Sequence, residues 1–296
     1  MNALLLALRR WVDAGAAGPE GVCRTGIDWL RVLPFLAIHA GCLGVLWYGP
    51  TPELVVLAAA LFAVRMFAIT AFYHRYFSHR AFRTSRGMQF VFAVLGASAV
   101  QRGPLWWASH HRHHHAESDR PADSHSARQH GFLWSHVGWF LARENFATRL
   151  ERVPEWARLP ELRFLDRFDI AVPTALGVGL WLTGGGAYLV WGLCVSTVLL
   201  WHATFTINSL AHRFGRRRYA TRDDSRNNLW LALLTFGEGW HNNHHHYAGA
   251  ARQGFYWWEI DLSYYGLRLL AALGLVWSLR PVPVEIREAR RQGRHS

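Results

Sequence analysis

The stretch PELVVLAAALFAVRMFAITAFYHRYFSH, residues 52–79, decides the fold. Its first part, Glu53 to Tyr73, is an apolar run of the length a helix needs to cross roughly 30 Å of hydrocarbon, about 20 residues. It ends directly in His74 and His79, side chains that ligate metals as neutral donors. A membrane span that delivers imidazoles to one bilayer surface is therefore the first expectation. Three further runs approach spanning length, at 32–49, 168–183 and 187–207. The breakers Tyr48-Gly49-Pro50-Thr51-Pro52 and Gly184-Gly185-Gly186 suit tight turns, so the four runs predict two helical hairpins.

Charge sets the orientation. All 32 basic residues are arginine, and the formal net charge is +12. None lies between Val32 and Val64 or between Phe168 and His212. The positive-inside rule then puts the N-terminus, the segment 74–167 and the segment 208–286 in the cytoplasm. The expected architecture is one all-α integral membrane domain over 1–296, with four spans and a cytoplasmic helical cap. Basic and aromatic residues flank spans instead of building a soluble face, which argues against nucleic acid as a partner. MNALLLALRRW lacks a preceding basic region and a small-residue cleavage site, so no cleaved signal peptide is expected. Cys23, Cys42 and Cys194 are scattered without CxxC spacing, which argues against disulfides and an iron–sulfur cluster. The apolar run Met88 to Val100 is too short to span, Tyr264 to Trp277 reads as an amphipathic stretch on the membrane surface, and Arg287 to Ser296 as a disordered tail.

Three histidine clusters carry the chemistry: HRYFSH at 74–79, HHRHHH at 110–115 and HNNHHH at 241–246. Spacing of i, i+3, i+4 brings His111, His114 and His115 onto one helix face, and likewise His241, His244 and His245. His74 and His79 are five apart, about 140° around a regular helix, so that pair needs a helix end or a distortion. Asn208 and His212 sit at the cytoplasmic end of the fourth run. A structural zinc takes four ligands, so nine imidazoles imply two metal ions, and nitrogen-rich sites with room for oxygen suit iron. His39, His125, His130, His136 and His202 read as hydrogen-bonded structural residues, with His125 and His136 also able to orient ligands. Glu238, Asp119, Asp123, Asp224 and Asp261 are candidate acceptors for imidazole N–H groups. Arg65, about 13.5 Å along a helix from His74, either supports the bundle or reaches a headgroup. Gly177-Val178-Gly179 lies inside an apolar run and is no dinucleotide fingerprint.

HRYFSH, HRHHH preceded by Trp107-Ala108, NSLAH at 208–212 and GEGWHNNHH at 237–245, in that order, resemble the membrane acyl-CoA (stearoyl-type, Δ9) fatty acid desaturases, especially the bacterial ones. SHVGW at 135–139, SRNN at 225–228 and GFYWWEID at 254–261 extend the likeness from about Arg65 to Pro283. The resemblance implies two iron ions held by His74, His79, His111, His114, His115, His212, His241, His244 and His245, with Asn208 reaching one iron through water. His110, His113 and His246 fall on positions that are not ligands. It also implies an acyl tunnel lined by Gln101, Trp107 and Thr204, and insertion of a cis double bond, at Δ9, into a saturated acyl-CoA or related acyl chain using O₂. With no haem, flavin or cysteine-cluster motif, the two electrons must come from an external donor, a ferredoxin or small cytochrome with its reductase. The arginine-rich face suits an acidic donor. Two other readings remain open at this point: a related di-iron lipid hydroxylase or alkane monooxygenase, and a membrane metal-binding protein. Arginine in place of lysine hints at a GC-rich bacterial source and thus an inner membrane.

Overall fold

The computed structural model describes residues 12–14 and 26–289. Helix α1, Trp29–Gly41, runs on as a tighter turn, Cys42–Leu46. Helix α2, Pro52–Phe67, starts where Thr51 caps it, its hydroxyl accepting from Leu54 N (3.3 Å), with Pro52 in the first turn. It continues without interruption through Ala68–Ser78, where the hydrogen bonding changes from i→i+4 to i→i+5. Helices α3, Arg86–Ala97, α4, Pro104–Glu117, and α5, Pro160–Arg167, follow in the cap. Helix α6, Ala171–Tyr188, and helix α7, Ser196–Ser209, are joined by another i→i+5 segment, Leu189–Val195. Helices α8, His241–His246, and α9, Leu262–Ala272, complete the cap.

Two helical stretches are long and apolar enough to cross a membrane, Pro52–Ser78 and Ala171–Ser209. The second is folded back on itself. Gly184 and Gly185 leave helical geometry, and Gly185 takes φ 62°, a conformation that costs glycine nothing. Gly177 then meets Leu193, and Leu180 meets Gly192, across the returning helix. Helix α1 packs on that helix through small residues, Gly41 against Cys194 and Gly44 against Val190. The two turns lie side by side: Trp191 Nε1 donates to Tyr48 O at 2.6 Å, and the Tyr188 hydroxyl bonds Glu53. Both hairpins thus turn at one end of the bundle, and the histidines collect at the other.

Arg65 supports the bundle. Its guanidinium is buried and donates to Leu61 O, Ser98 O, Thr197 Oγ1 and Ser196 Oγ, tying α2 to α3 and α7. Elsewhere the structure departs from the sequence expectations in three places. The expected third run begins at 168, but α5 and a turn occupy 160–170 and the helix starts at Ala171. The all-α reading misses a small antiparallel ribbon, Arg83–Thr84 against Val276–Trp277, which sews the start of the cap to its end. Arg287 is not in a disordered tail: it lies in the helix Val284–Glu288, and its carbonyl accepts from Tyr219 (2.9 Å) and Tyr256 (3.2 Å). The expectations for the N-terminal 11 residues and for the tail beyond 289 fall outside the described residues.

Candidate metal centre and acyl cavity

The distortion that HRYFSH needs is the i→i+5 continuation of α2. The wider i→i+5 turn brings residues five apart much closer to one face than a regular helix does, and the His74 and His79 rings meet edge-on at 5.0 Å between centroids. The backbone closes this turn with His79 N donating to His74 O (3.3 Å).

Nine imidazoles meet in two groups. His74, His79, His111, His115 and His244 form one; His114, His212, His241 and His245 form the other; within each group the ligating atoms lie within 4.8 Å of one another. The two i, i+3, i+4 triplets are divided between them in complementary fashion. Helix α4 gives His111 and His115 to the first group and His114 to the second, whereas α8 gives His241 and His245 to the second and His244 to the first. Two short helices thereby set the spacing of the two groups. Asn208 lines the cavity beside the second group with His114 and His241.

Carboxylates set the ring orientations. Nδ1 of His114 donates to Asp123 (2.9 Å), Nδ1 of His212 to Asp119 (2.9 Å), Nδ1 of His245 to Asp223 (2.7 Å), and Nδ1 of His74 to Glu238. With its one proton on Nδ1, each of these rings presents Nε2 as a bare lone pair. His245 Nε2 has no hydrogen-bond partner among the described residues, although it is buried. Three lone pairs, from His114, His212 and His245, therefore converge with the single further imidazole of His241, an arrangement that repels unless a cation sits among them. Distances agree. A metal–imidazole bond of about 2.1 Å sets neighbouring nitrogens of an octahedron about 3.0 Å apart; the Nε2···Nε2 separations are 2.8 Å for His79–His111, 2.9 Å for His115–His244, and 3.0 Å for His74–His244 and His212–His241. Burial, and then the charge of neighbouring histidines, holds His79, His111, His115, His241 and His244 well below the ordinary histidine range, so these rings are neutral donors at pH 7. Burial pushes the Asp119, Asp123 and Asp223 carboxyls up, but their histidine partners outweigh it and keep them well below the usual carboxylate range.

The remaining candidates sort clearly. His110, His113 and His246 point away from both groups, onto the carbonyls of Ala147, Ala122 and Ile286. His125 stacks on His114 (4.2 Å) beside Asp123, in line with a supporting role, and His130 Nε2 bonds Asp123 O. His136 contacts no ligand: it bonds Ser209 and His202. Asp224 is not an imidazole partner, its carboxylate lying toward Arg128 and Arg217, and the carboxylate that does the work is its neighbour Asp223, which sequence reasoning missed. Asp261 holds Arg75 (2.9 Å), which also binds Glu238 (3.2 Å). The two asparagines of HNNHHH fix α8: Asn242 accepts from the Arg218 and Tyr219 N–H groups (2.7 Å each), and Asn243 bridges Asn227 and Glu259 (2.7 and 2.9 Å).

A cavity of about 960 Å³ lies between the helices, its wall mostly apolar but including Arg31, Arg102, Asp169 and Glu238, and it reaches His74 and His111 of the first group and His114 and His241 of the second. Gln101, Trp107 and Thr204 meet on its wall: Gln101 Nε2 donates to Thr204 Oγ1 (2.8 Å), and Trp107 Nε1 donates to Gln101 Oε1 (3.3 Å). Trp107 also stacks on His111 at 5.0 Å.

A fatty acid desaturase family model matches residues 50–282. The chain belongs to the fatty acid desaturase family. This desaturase is 36% identical over 266 residues to the sn-2 palmitoyl-lipid 9-desaturase of Nostoc sp. (strain 36), covering 88% of this chain and 93% of that one. It is 36% identical over 261 residues to the sn-1 stearoyl-lipid 9-desaturase of Anabaena variabilis, covering 86% and 94%. It is 38% identical over 213 residues to the icosanoyl-CoA 5-desaturase of Limnanthes douglasii, covering 71% and 59%. The enzyme is thus an oxidoreductase of lipid metabolism whose histidine clusters suit a metal.

Proposed function

We propose that this desaturase places a cis Δ9 double bond in a saturated acyl chain carried by a membrane glycerolipid. It uses two iron ions and two electrons from an external ferredoxin or small cytochrome served by a reductase. The observation that carries this reading is the apolar cavity ending at two complementary imidazole groups. The balanced reaction converts –CH₂–CH₂– with O₂, two electrons and two protons into –CH=CH– and two water molecules. Bound iron supplies the oxidant for C–H bonds that acid–base side chains cannot attack.

The chain's own residues do the rest. His74, His79, His111, His115 and His244 would hold one iron; His114, His212, His241 and His245, with Asn208 through water, the other. The Trp107–Gln101–Thr204 bridge fixes the acyl chain where the cavity passes the centre, so that one pair of methylenes meets it. Apolar walls exclude water.

An acyl lipid is favoured over acyl-CoA by the exposed apolar residues in the cavity's lining. That lining includes Leu33 and Leu36 of α1 and Val178 and Trp181 of α6, which are 47%, 46%, 52% and 56% exposed. That outer face is apolar, so a chain can slide in from the bilayer without leaving it. The names of the two cyanobacterial relatives agree, as acyl-lipid 9-desaturases. Four spans in two hairpins are supported by the paired turns and by the outward apolar surface, for example Leu46, Val56, Leu182 and Leu199. The arginine distribution favours a cytoplasmic cap and termini in a bacterial inner membrane.

The test is gas chromatography–mass spectrometry of fatty acids, separated by lipid class, from a host lacking the matching desaturase. The host expresses this chain or its His111→Ala variant with ferredoxin and reductase. A Δ9 monounsaturated acid in glycerolipids, absent from the variant, supports the reading. An unsaturated acid in the acyl-CoA pool that precedes any in glycerolipid overturns the carrier, and a hydroxylated acid overturns the reaction.

A further inference from the structure

Three histidines that the metal groups leave unused form a line. His39 Nδ1 lies 2.8 Å from Phe35 O; His39 Nε2 lies 3.1 Å from His202 Nε2; His202 Nδ1 lies 3.0 Å from His136 Nε2; His136 Nδ1 lies 2.9 Å from Ser209 Oγ. The carbonyl at one end fixes the direction of the protons from His39 through His202 to His136 Nε2. Phe35 O can only accept, so His39 carries its proton on Nδ1 and accepts at Nε2. His202 must then donate from Nε2 and accept at Nδ1, and His136 must donate from Nε2; the line ends at Ser209 Oγ, which lies 2.9 Å from His136 Nδ1 and 3.0 Å from Phe205 O. Each of the three rings thereby bonds a partner at both nitrogens. Burial, and then the charge of His202, keeps His136 below the ordinary histidine range.

The line crosses three elements: α1, α7 and the segment Trp134–Gly138. Helices α1 and α7 supply the aromatic side of the cavity, Phe35, Trp201 and Phe205, joined by Phe140 just beyond the third segment. Each imidazole touches it from behind. His39 packs on Phe35 (4.3 Å) and Trp201 (5.6 Å), His202 on Phe205 (5.9 Å), and His136 on Phe205 (5.7 Å). Phe35 in turn stacks on Trp201 at 5.1 Å, one helical turn from Thr204 of the Gln101 bridge. Polar side chains inside a bilayer are costly and seldom idle. Here they are satisfied by one another, and a one-way chain admits no sliding of α1 past α7 without breaking a bond.

We propose that His39, His202 and His136 are positioning residues of the desaturation reaction, holding the aromatic wall of the acyl cavity in register with the metal centre and so fixing which carbons are oxidised. The inference rests on the desaturase reading of that cavity. Its test replaces His202 with leucine, which removes both bonds, and with glutamine, whose oxygen accepts and whose NH₂ donates in the same directions. Double-bond position is read by mass spectrometry, and iron content by elemental analysis of the purified protein. We expect His202→Leu to load iron as the parent does while its ratio of principal to neighbouring double-bond isomers falls roughly tenfold, and His202→Gln to restore the ratio. Iron-loaded His202→Leu with the parent isomer ratio overturns the assignment. If His202→Leu does not accumulate in the membrane, His136→Phe, at the cap end of the line, is read by the same two outcomes. A parent protein that makes no unsaturated acid defeats instead the reading on which the inference rests.

Discussion

Replacing Asp223 with alanine isolates what a carboxylate contributes to the second imidazole group. Asp223 Oδ2 accepts from His245 Nδ1 at 2.7 Å, both side chains are buried, and Oδ1 is satisfied by Ser225 N (3.1 Å) and Oγ (2.5 Å). Without the carboxylate the His245 proton is free to move to Nε2, the atom that must stay bare, and the ring loses its orientation. Losing such a partner typically weakens metal affinity about 10- to 100-fold, which is about 1.4–2.7 kcal/mol. The assay is competitive titration of metal-free, detergent-solubilised protein with Fe²⁺ against a chromophoric chelator, fitted to two sites. One site should weaken by that factor and the other hold. Asp224→Ala is the internal control: that neighbour faces Arg128 and Arg217 at 3.7 and 3.9 Å and should leave both affinities unchanged. Parent-like binding by Asp223→Ala, or an equal loss in Asp224→Ala, would refute the tautomer argument.

Four further outcomes follow from the same geometry. His79, His111, His115, His241 and His244 stay neutral in the folded protein where the unfolded chain protonates them below 6.5. Stability of the metal-free protein should therefore be fully present above that pH and fall below it by about 1.4 kcal/mol per group per pH unit; a thermal midpoint flat between neutrality and mild acid would contradict this. Gln101→Leu should keep its iron but lose product, because Trp107 and Thr204 lose their shared partner, and undiminished turnover at saturating substrate would contradict it. Arg65→Met removes the partner of two buried hydroxyls, Ser196 and Thr197, and of two part-buried carbonyls, and should lower the thermal midpoint, at a cost of about 1–3 kcal/mol for each acceptor that water does not reach, with metal content unchanged. Gly96→Ala would drive a methyl into the buried Tyr73 ring, so a loss of about 1–3 kcal/mol is expected from overpacking, visible as reduced accumulation in the membrane.

Much of the site was legible because histidines that converge from helices leave spacing behind. The i, i+3, i+4 triplets named the faces of α4 and α8 that meet in the two imidazole groups, and the five-residue gap between His74 and His79 announced a distortion before its form was known. What spacing cannot carry is which member of a triplet serves which centre, since that depends on how two helices cross. Asp223 and Asp224 are indistinguishable in sequence, and only the path of the chain after Tyr219 decides which carboxylate meets His245. His39, His136 and His202 looked idle one at a time for a similar reason: their bonds join positions up to 163 residues apart. The hairpins were readable from apolar length and glycine-rich breaks, whereas the ribbon of four residues between Arg83–Thr84 and Val276–Trp277 is too short to leave a pattern.

The most direct test of the account is the metal content of the purified, active protein, expressed with both iron and zinc available. Two irons per chain are predicted, with His244→Ala and His212→Ala each retaining about one, because each removes a ligand from only one group. A single metal per chain, or zinc in place of iron, would contradict it.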